Sequence, residues 1–370
     1  MKQAVRRYLW LILCGAVLAV CAAVLVVLRG DPDTGTLPRD RDTEFAHGSG
    51  IVLEDATALQ RDSLYKLAKV WGYVKYRHPS VIGGQVNWDA ELFRVMPRVL
   101  QAADEEAVNA VLADWLEGFP FTPATAEEAL PELEMLDSAP GTRNDMDWIS
   151  DRAFLGEELC GYLEDLSRTH VSDWTCGYAS RGEGVVDFSR EDPRPDFDGT
   201  DAGVRLLGAF RFWNAFAWFS PNVDITRTDW DDALRGAIDD MVAATDRTGY
   251  ERALARLTAQ TGDCHVMLQT PDQSVLQYYG HYWLPFTFLS IGGEVVMGSP
   301  SVGADGDAIH IQMPGGCDTP FTTMGVLTPE GGQTQRVGLQ PDVLCTPTVA
   351  GIAAGRDELL EKAVELIEAG

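Results

Sequence analysis

The residues best placed for chemistry are Asp263, Cys264 and His265, directly after Gly262. An imidazole near its ordinary pKa accepts protons at neutral pH, so His265 can act as a general base if a nucleophile stands beside it. The alternative is a turn histidine hydrogen-bonded for structure. A serine hydroxyl is weak until a base takes its proton, and the oxyanion that follows needs fixed donors. Ser299 and Ser301 lie in a loop of small residues, but the G-x-S-x-G pattern fails because position 299 is serine. Ser274 and Ser290 have nothing around them that suggests an oxyanion hole. A lysine base is no better supplied, since none occurs between Lys75 and Lys362. Asp305-Gly306-Asp307 lacks the alternating oxygens and closing glutamate of a calcium loop and reads as a turn, and Asp342 after Pro341 reads as structural. No Cys or His spacing fits a metal site, so no cofactor is expected.

The elements that carry these residues follow a basic-then-apolar N-terminus. Lys2, Arg6 and Arg7 precede an apolar run from Tyr8 to Leu28. That length predicts an uncleaved transmembrane signal anchor over 1–29, with the bulk of the chain extracytoplasmic on a single-pass protein of the cell membrane. A polar linker follows over 30–55. Five cysteines lie beyond the anchor, an odd number, with Cys160–Cys176 one conceivable bridge. The formal charge of −27 argues against nucleic acid as a partner, because phosphate recognition needs a basic face.

Two stretches then repeat. Trp71, Pro79, Trp88, Asp89, Leu92, Asp104 and Leu112 recur as Trp213, Pro221, Trp230, Asp231, Leu234, Asp246 and Leu254, a constant offset of 142 (71 to 213, 88 to 230). Each copy, over 56–120 and 201–262, reads as a helix, a proline turn and two more helices. The tryptophans are assigned to helix–helix packing. Residues 121–200 read as a connector with one short helix near Phe154–Leu166. After Gly262 the periodicity shortens, predicting strands at Tyr282–Ser290, Glu294–Met297, Ala308–Met313 and Gly325–Thr328, and an amphipathic helix over Asp357–Glu368.

Several blocks resemble the tail-specific (C-terminal-processing) serine peptidases, in particular their tricorn-like branch. They are Leu67–Val81, Trp148–Asp151 with Phe154–Gly156, and Arg205–Asn222 in the helical part. Gly298–Gly306, Pro314–Gly316, Val337–Asp342 and Thr348–Leu360 follow in the family's order. The resemblance implies a fold of α + α/β class: an N-terminal membrane helix, a two-copy helical domain, then a truncated α/β (ClpP/crotonase-like) peptidase domain over 263–370. It implies a membrane-anchored serine-type peptidase acting on peptides or proteins, with His265 at the base position. Family members carry a PDZ-like module and the nucleophile segment between two of these blocks. Here Met297 runs straight into Gly298, so the expectation is an inactive or truncated copy with a structural or relic His265. The alternative is a non-enzymatic surface module that binds protein or glycan.

Overall fold

The computed structural model describes residues 36–123, 146–182, 185–273, 275, 277, 289–291, 295–338 and 340–369. Helices dominate. Ala58–Lys75 (α1) leads to the short Pro79–Ile82 (α2), then Trp88–Leu100 (α3) and Glu105–Glu117 (α4). Arg152–Ser167 (α5) precedes a second set, Ala202–Phe219 (α6), Trp230–Ala243 (α7) and Arg247–Gln260 (α8).

Local sequence explains where these helices start. Thr57 accepts the Gln60 amide at 3.2 Å while the Gln60 side chain accepts the Thr57 amide at 2.9 Å, a reciprocal capping box ahead of α1. Asn87 and Asp229 cap α3 and α7, and Asp104 and Asp246 cap α4 and α8, each pair 142 residues apart. One shared core forms from both sets. Trp71 and Trp88 are fully buried, and Trp213 and Trp230 are 5% and 7% exposed. In each set the two indoles donate to one another's carbonyls: Trp71 Nε1 to Trp88 O at 2.9 Å and Trp88 Nε1 to Trp71 O at 2.8 Å. Trp213 Nε1 reaches Trp230 O at 2.6 Å, with 3.1 Å for the return bond. A buried indole N–H without a partner is costly, and this exchange satisfies all four.

The sets meet where α1 lies against α6. There Gly72 faces Asn214, its own counterpart at the 142 offset, and a methyl on Gly72 would collide with the Asn214 side chain. Asn214 Nδ2 donates to Ala68 O at 3.0 Å and Phe210 O at 2.9 Å.

Among the described residues the strands are few and short. Ser180–Gly182 (β1) and Val185–Asp187 (β2) pair antiparallel. Leu289–Ile291 (β3) pairs antiparallel with Val295–Gly298 (β4), which pairs parallel with Val343–Leu344 (β7). Ala308–Met313 (β5) and Cys317–Thr322 (β6) form a hairpin across Pro314-Gly315-Gly316. Both glycines take positive φ, 81° and 66°, which a side chain would strain. The hairpin buries Ile311, Met313, Cys317 and Phe321 on the helices, with Phe321 against Phe188, Phe212 and Phe216. Tyr250 Oη donates to Pro314 O at 2.9 Å and fixes its turn. Val349–Ala353 (α9) and Glu358–Glu368 (α10) close the chain.

This arrangement corrects the expected fold class. The described residues are mostly helical, and their strands make two pairs and one three-stranded sheet instead of an α/β layer of ClpP/crotonase-like type. The longest strands, β5 and β6, pack as a hairpin onto the helical core and carry no flanking helical layer of their own. An N-terminal membrane helix is not supported either. Among the described residues no helix is long and apolar enough to cross a membrane, and the expected span over 8–28 lies outside them. Residues 282–288 of the expected Tyr282–Ser290 strand also lie outside the described residues. The Gly325–Thr328 strand reduces to a single bridge, Leu327 to Gln333. Cys160 and Cys176 are free thiols, not a bridge.

Candidate functional site

The residue expected at the base position is held by the end of α8. Thr261 takes the last helical conformation, and Gly262, at φ 62°, turns the chain out of the helix. Thr261 Oγ1 donates to Thr258 O at 2.7 Å and accepts the Asp263 amide at 3.2 Å. The Asp263 side chain is fully buried. Its Oδ1 accepts the His265 amide at 2.9 Å and Gln335 Nε2 at 3.2 Å, and its Oδ2 accepts the Thr322 amide at 2.7 Å. A buried carboxylate with this many donors is a fixed structural anion.

His265 leans its ring on this anion. Nδ1 lies 3.0 Å from Thr322 Oγ1 and 3.5 Å from Asp263 Oδ1, with the side chain 27% exposed. In the tautomer that donates from Nδ1 to Thr322 Oγ1, the lone pair lies on Nε2. Nε2 takes no hydrogen-bond partner among the described residues. In that tautomer the ring is oriented as a base should be. In a working triad, however, nucleophile and orienting carboxylate occupy opposite ring nitrogens. Thr322 shares the Nδ1 side with Asp263 and is fully buried, so its hydroxyl orients the ring and is not a nucleophile.

The serines weighed from sequence do not complete the site. The loop carrying Ser299 and Ser301 passes Cys264, whose Sγ lies 3.9 Å from Val302 O, but neither serine hydrogen-bonds His265. Ser299 Oγ is buried without a partner among the described residues. Ser274 and the Ser290 side chain lie outside the described residues. Asp305 and Asp307 flank a turn at Gly306, φ 97°. Asp342 Oδ2 accepts the Val296 amide at 2.7 Å and ties β7 to β4, and Lys362 pairs with Glu365 on the outside of α10.

A second cluster escaped sequence reasoning. Lys75 Nζ lies 3.0 Å from Asp89 Oδ1 and 2.8 Å from Glu191 Oε2. Arg211 lies 2.6 Å from Asp89 Oδ2 through Nη2 and 2.9 Å from Glu191 Oε2 through Nε. Two cations and two carboxylates balance, and none of the four side chains is more than 3% exposed. Burial pushes the Asp89 carboxyl upward, but Lys75 and then Arg211 hold it well below the usual carboxylate range. Tyr178 roofs the cluster, with Lys75 Nζ 4.0 Å from its ring centroid and the Arg39 guanidinium 4.3 Å away. Burial, and then Asp89, raise the Tyr178 phenol. The sequence signals for this cluster were the recurrence of Asp89 as Asp231 and the charged positions 75 and 211 inside otherwise apolar helix faces. Closed to solvent and charge-balanced, it holds helices together and offers no reacting group.

No family model, no curated protein sequence and no solved structure matches this chain, so its likeness to the tail-specific peptidases rests on the sequence blocks alone.

Proposed function

We propose that this protein is a relative of the tail-specific serine peptidases that retains an oriented base and does not hydrolyse peptides. The observation that carries this reading is the ring of His265. Its Nδ1 side is occupied by Asp263 and the buried Thr322, and no serine or cysteine bonds its Nε2 among the described residues. Geometry with a nucleophile has to be in place before pKa can matter. The remaining function is recognition of a peptide or protein. A binding platform built on the repeat tryptophans is disfavoured, because all four are spent on one another's carbonyls in the core.

The test compares the full chain with its His265→Ala variant on a fluorescence-quenched unstructured peptide and on a fluorophosphonate that labels activated serines. The two proteins should be indistinguishable and unlabelled. Turnover or labelling that disappears in His265→Ala would overturn the reading and establish a working nucleophile.

A further inference from the structure

Beyond the histidine, a polar cleft of about 270 Å³ opens at the roof of the buried ion cluster. Its lining includes Tyr178, Asn87, Arg39, Arg190, Arg194 and the buried Asp89. Such a volume lies just below the roughly 300–1,000 Å³ of ordinary ligand pockets, which sets the scale at a small metabolite.

The carboxylates of the cleft are already engaged. Asp89 belongs to the ion cluster, and Asp42 pairs with Arg94 at 2.8 Å. Asp192 lies 3.3 Å from Arg194 and Asp40 accepts the Leu37 amide at 2.8 Å. Arg194 donates through Nη1 to Phe45 O at 2.8 Å, and its Nε, which makes no hydrogen bond, faces Asp192 Oδ2 at 3.3 Å. Two further cations have spare donors. Arg39 is 5% exposed, is fixed over Tyr178, and its Nη1 has no hydrogen-bond partner among the described residues. Its one ion-pair contact, to Asp40, is long at 3.7 Å. Arg190 is half-buried and has no ion-pair partner among the described residues. A buried guanidinium with an idle donor is a standing cost, which a planar or tetrahedral oxyanion removes with charge-assisted bonds.

We infer that this cleft binds a small molecule through a single oxyanion, carboxylate or phosphate, held between Arg39 and Arg190. The partly exposed Asp40 and Asp192 at the same cleft repel further negative charge, so one anionic group is the limit.

Isothermal titration of the full chain with inorganic phosphate and, separately, N-acetylglycinate tests this, with chloride replacing each anion at equal ionic strength in the control. At least one anion should bind one-to-one, and which one binds separates a phosphate site from a carboxylate site. Arg190→Gln should weaken that binding about tenfold or more. Arg39→Lys keeps a cation over Tyr178 but loses the fork, and should weaken it as well. Circular dichroism shows whether each variant is folded, and either folded variant decides the matter. Failure of both anions to bind, or binding unchanged in a folded variant, would overturn the inference.

Discussion

Arg211 donates to Asp89 at 2.6 Å, and Lys69 lies 2.8 Å from Asp231, the same contact with the two helical sets exchanged. Position 69 plus 142 is 211, and 89 plus 142 is 231. Each set therefore sends a cation from its first long helix to the start of the other's second helix. The environments differ. Arg211 and Asp89 are buried with Lys75 and Glu191, whereas the Asp231 side chain is 41% exposed.

That difference should appear in stability. Arg211→Met leaves two buried carboxylates to Lys75 alone and should cost about 3–5 kcal/mol. Lys69→Met frees a carboxylate that water can solvate and should cost about 1 kcal/mol. Urea denaturation of the two variants measures both, and equal losses would contradict this account of the cluster.

The indole exchange makes a narrower claim. Trp71→Phe keeps most of the ring but strips the donor from the buried Trp88 carbonyl, for an expected loss of about 1–3 kcal/mol. Trp213→Phe should behave alike. A variant as stable as the parent would mean that water replaces the indole at that carbonyl.

Close approach at the junction is testable by a mutant cycle. Gly72→Ala should destabilise, by about 1–3 kcal/mol, because the added methyl meets Asn214. Adding Asn214→Ala should recover part of that loss, and the shortfall from additivity measures the contact. Strict additivity would show that α1 and α6 separate freely.

His78 sets a pH dependence of definite sign. Burial lowers its pKa in the folded chain. Its Nδ1 accepts the Ser80 amide at 3.2 Å, so the proton sits on Nε2, 3.0 Å from Phe119 O. The unfolded chain then binds a proton more readily below an unfolded pKa of about 6.5. Stability from this residue is complete above that pH and declines as pH falls toward the folded value. Asp89, depressed likewise, acts lower: its contribution is full above an unfolded pKa of about 3.9 and is lost on further acidification. Midpoints of urea unfolding between pH 5 and pH 8 should fall on the acid side, and His78→Gln should flatten the slope. An unchanged slope would remove His78 from the explanation.

The helical sets were legible because tryptophan, proline and cap residues recur at one spacing, and that spacing equals the offset between the helices that carry them. Strand β6 was not. Pro320 stands inside Cys317–Thr322, and a proline normally argues against a strand. It is tolerated because β5 and β6 form a two-stranded sheet, where an outward position needs no amide. Its buried residues are Cys317, Thr319, Phe321 and Thr322, a weak apolar signal. The Thr322 support of His265 was hidden for the same reason. Likewise nothing local marks Glu191 as the partner of Lys75, 116 residues away. The expected α/β layer failed because family order was carried onto segments whose strands are too short to build one.

The meeting of Gly72 with Asn214, its own counterpart, has a meaning outside energetics. A residue opposite itself marks a two-fold axis, and exchanged contacts on either side of it are those of an isologous dimer. A single ancestral set with a cation at the first position and aspartate at the second would make both contacts with a second copy of itself. The two sets on this chain reproduce that relation, and it is broken where Lys75 and, from the connector, Glu191 close one ion pair from water while the other stays open.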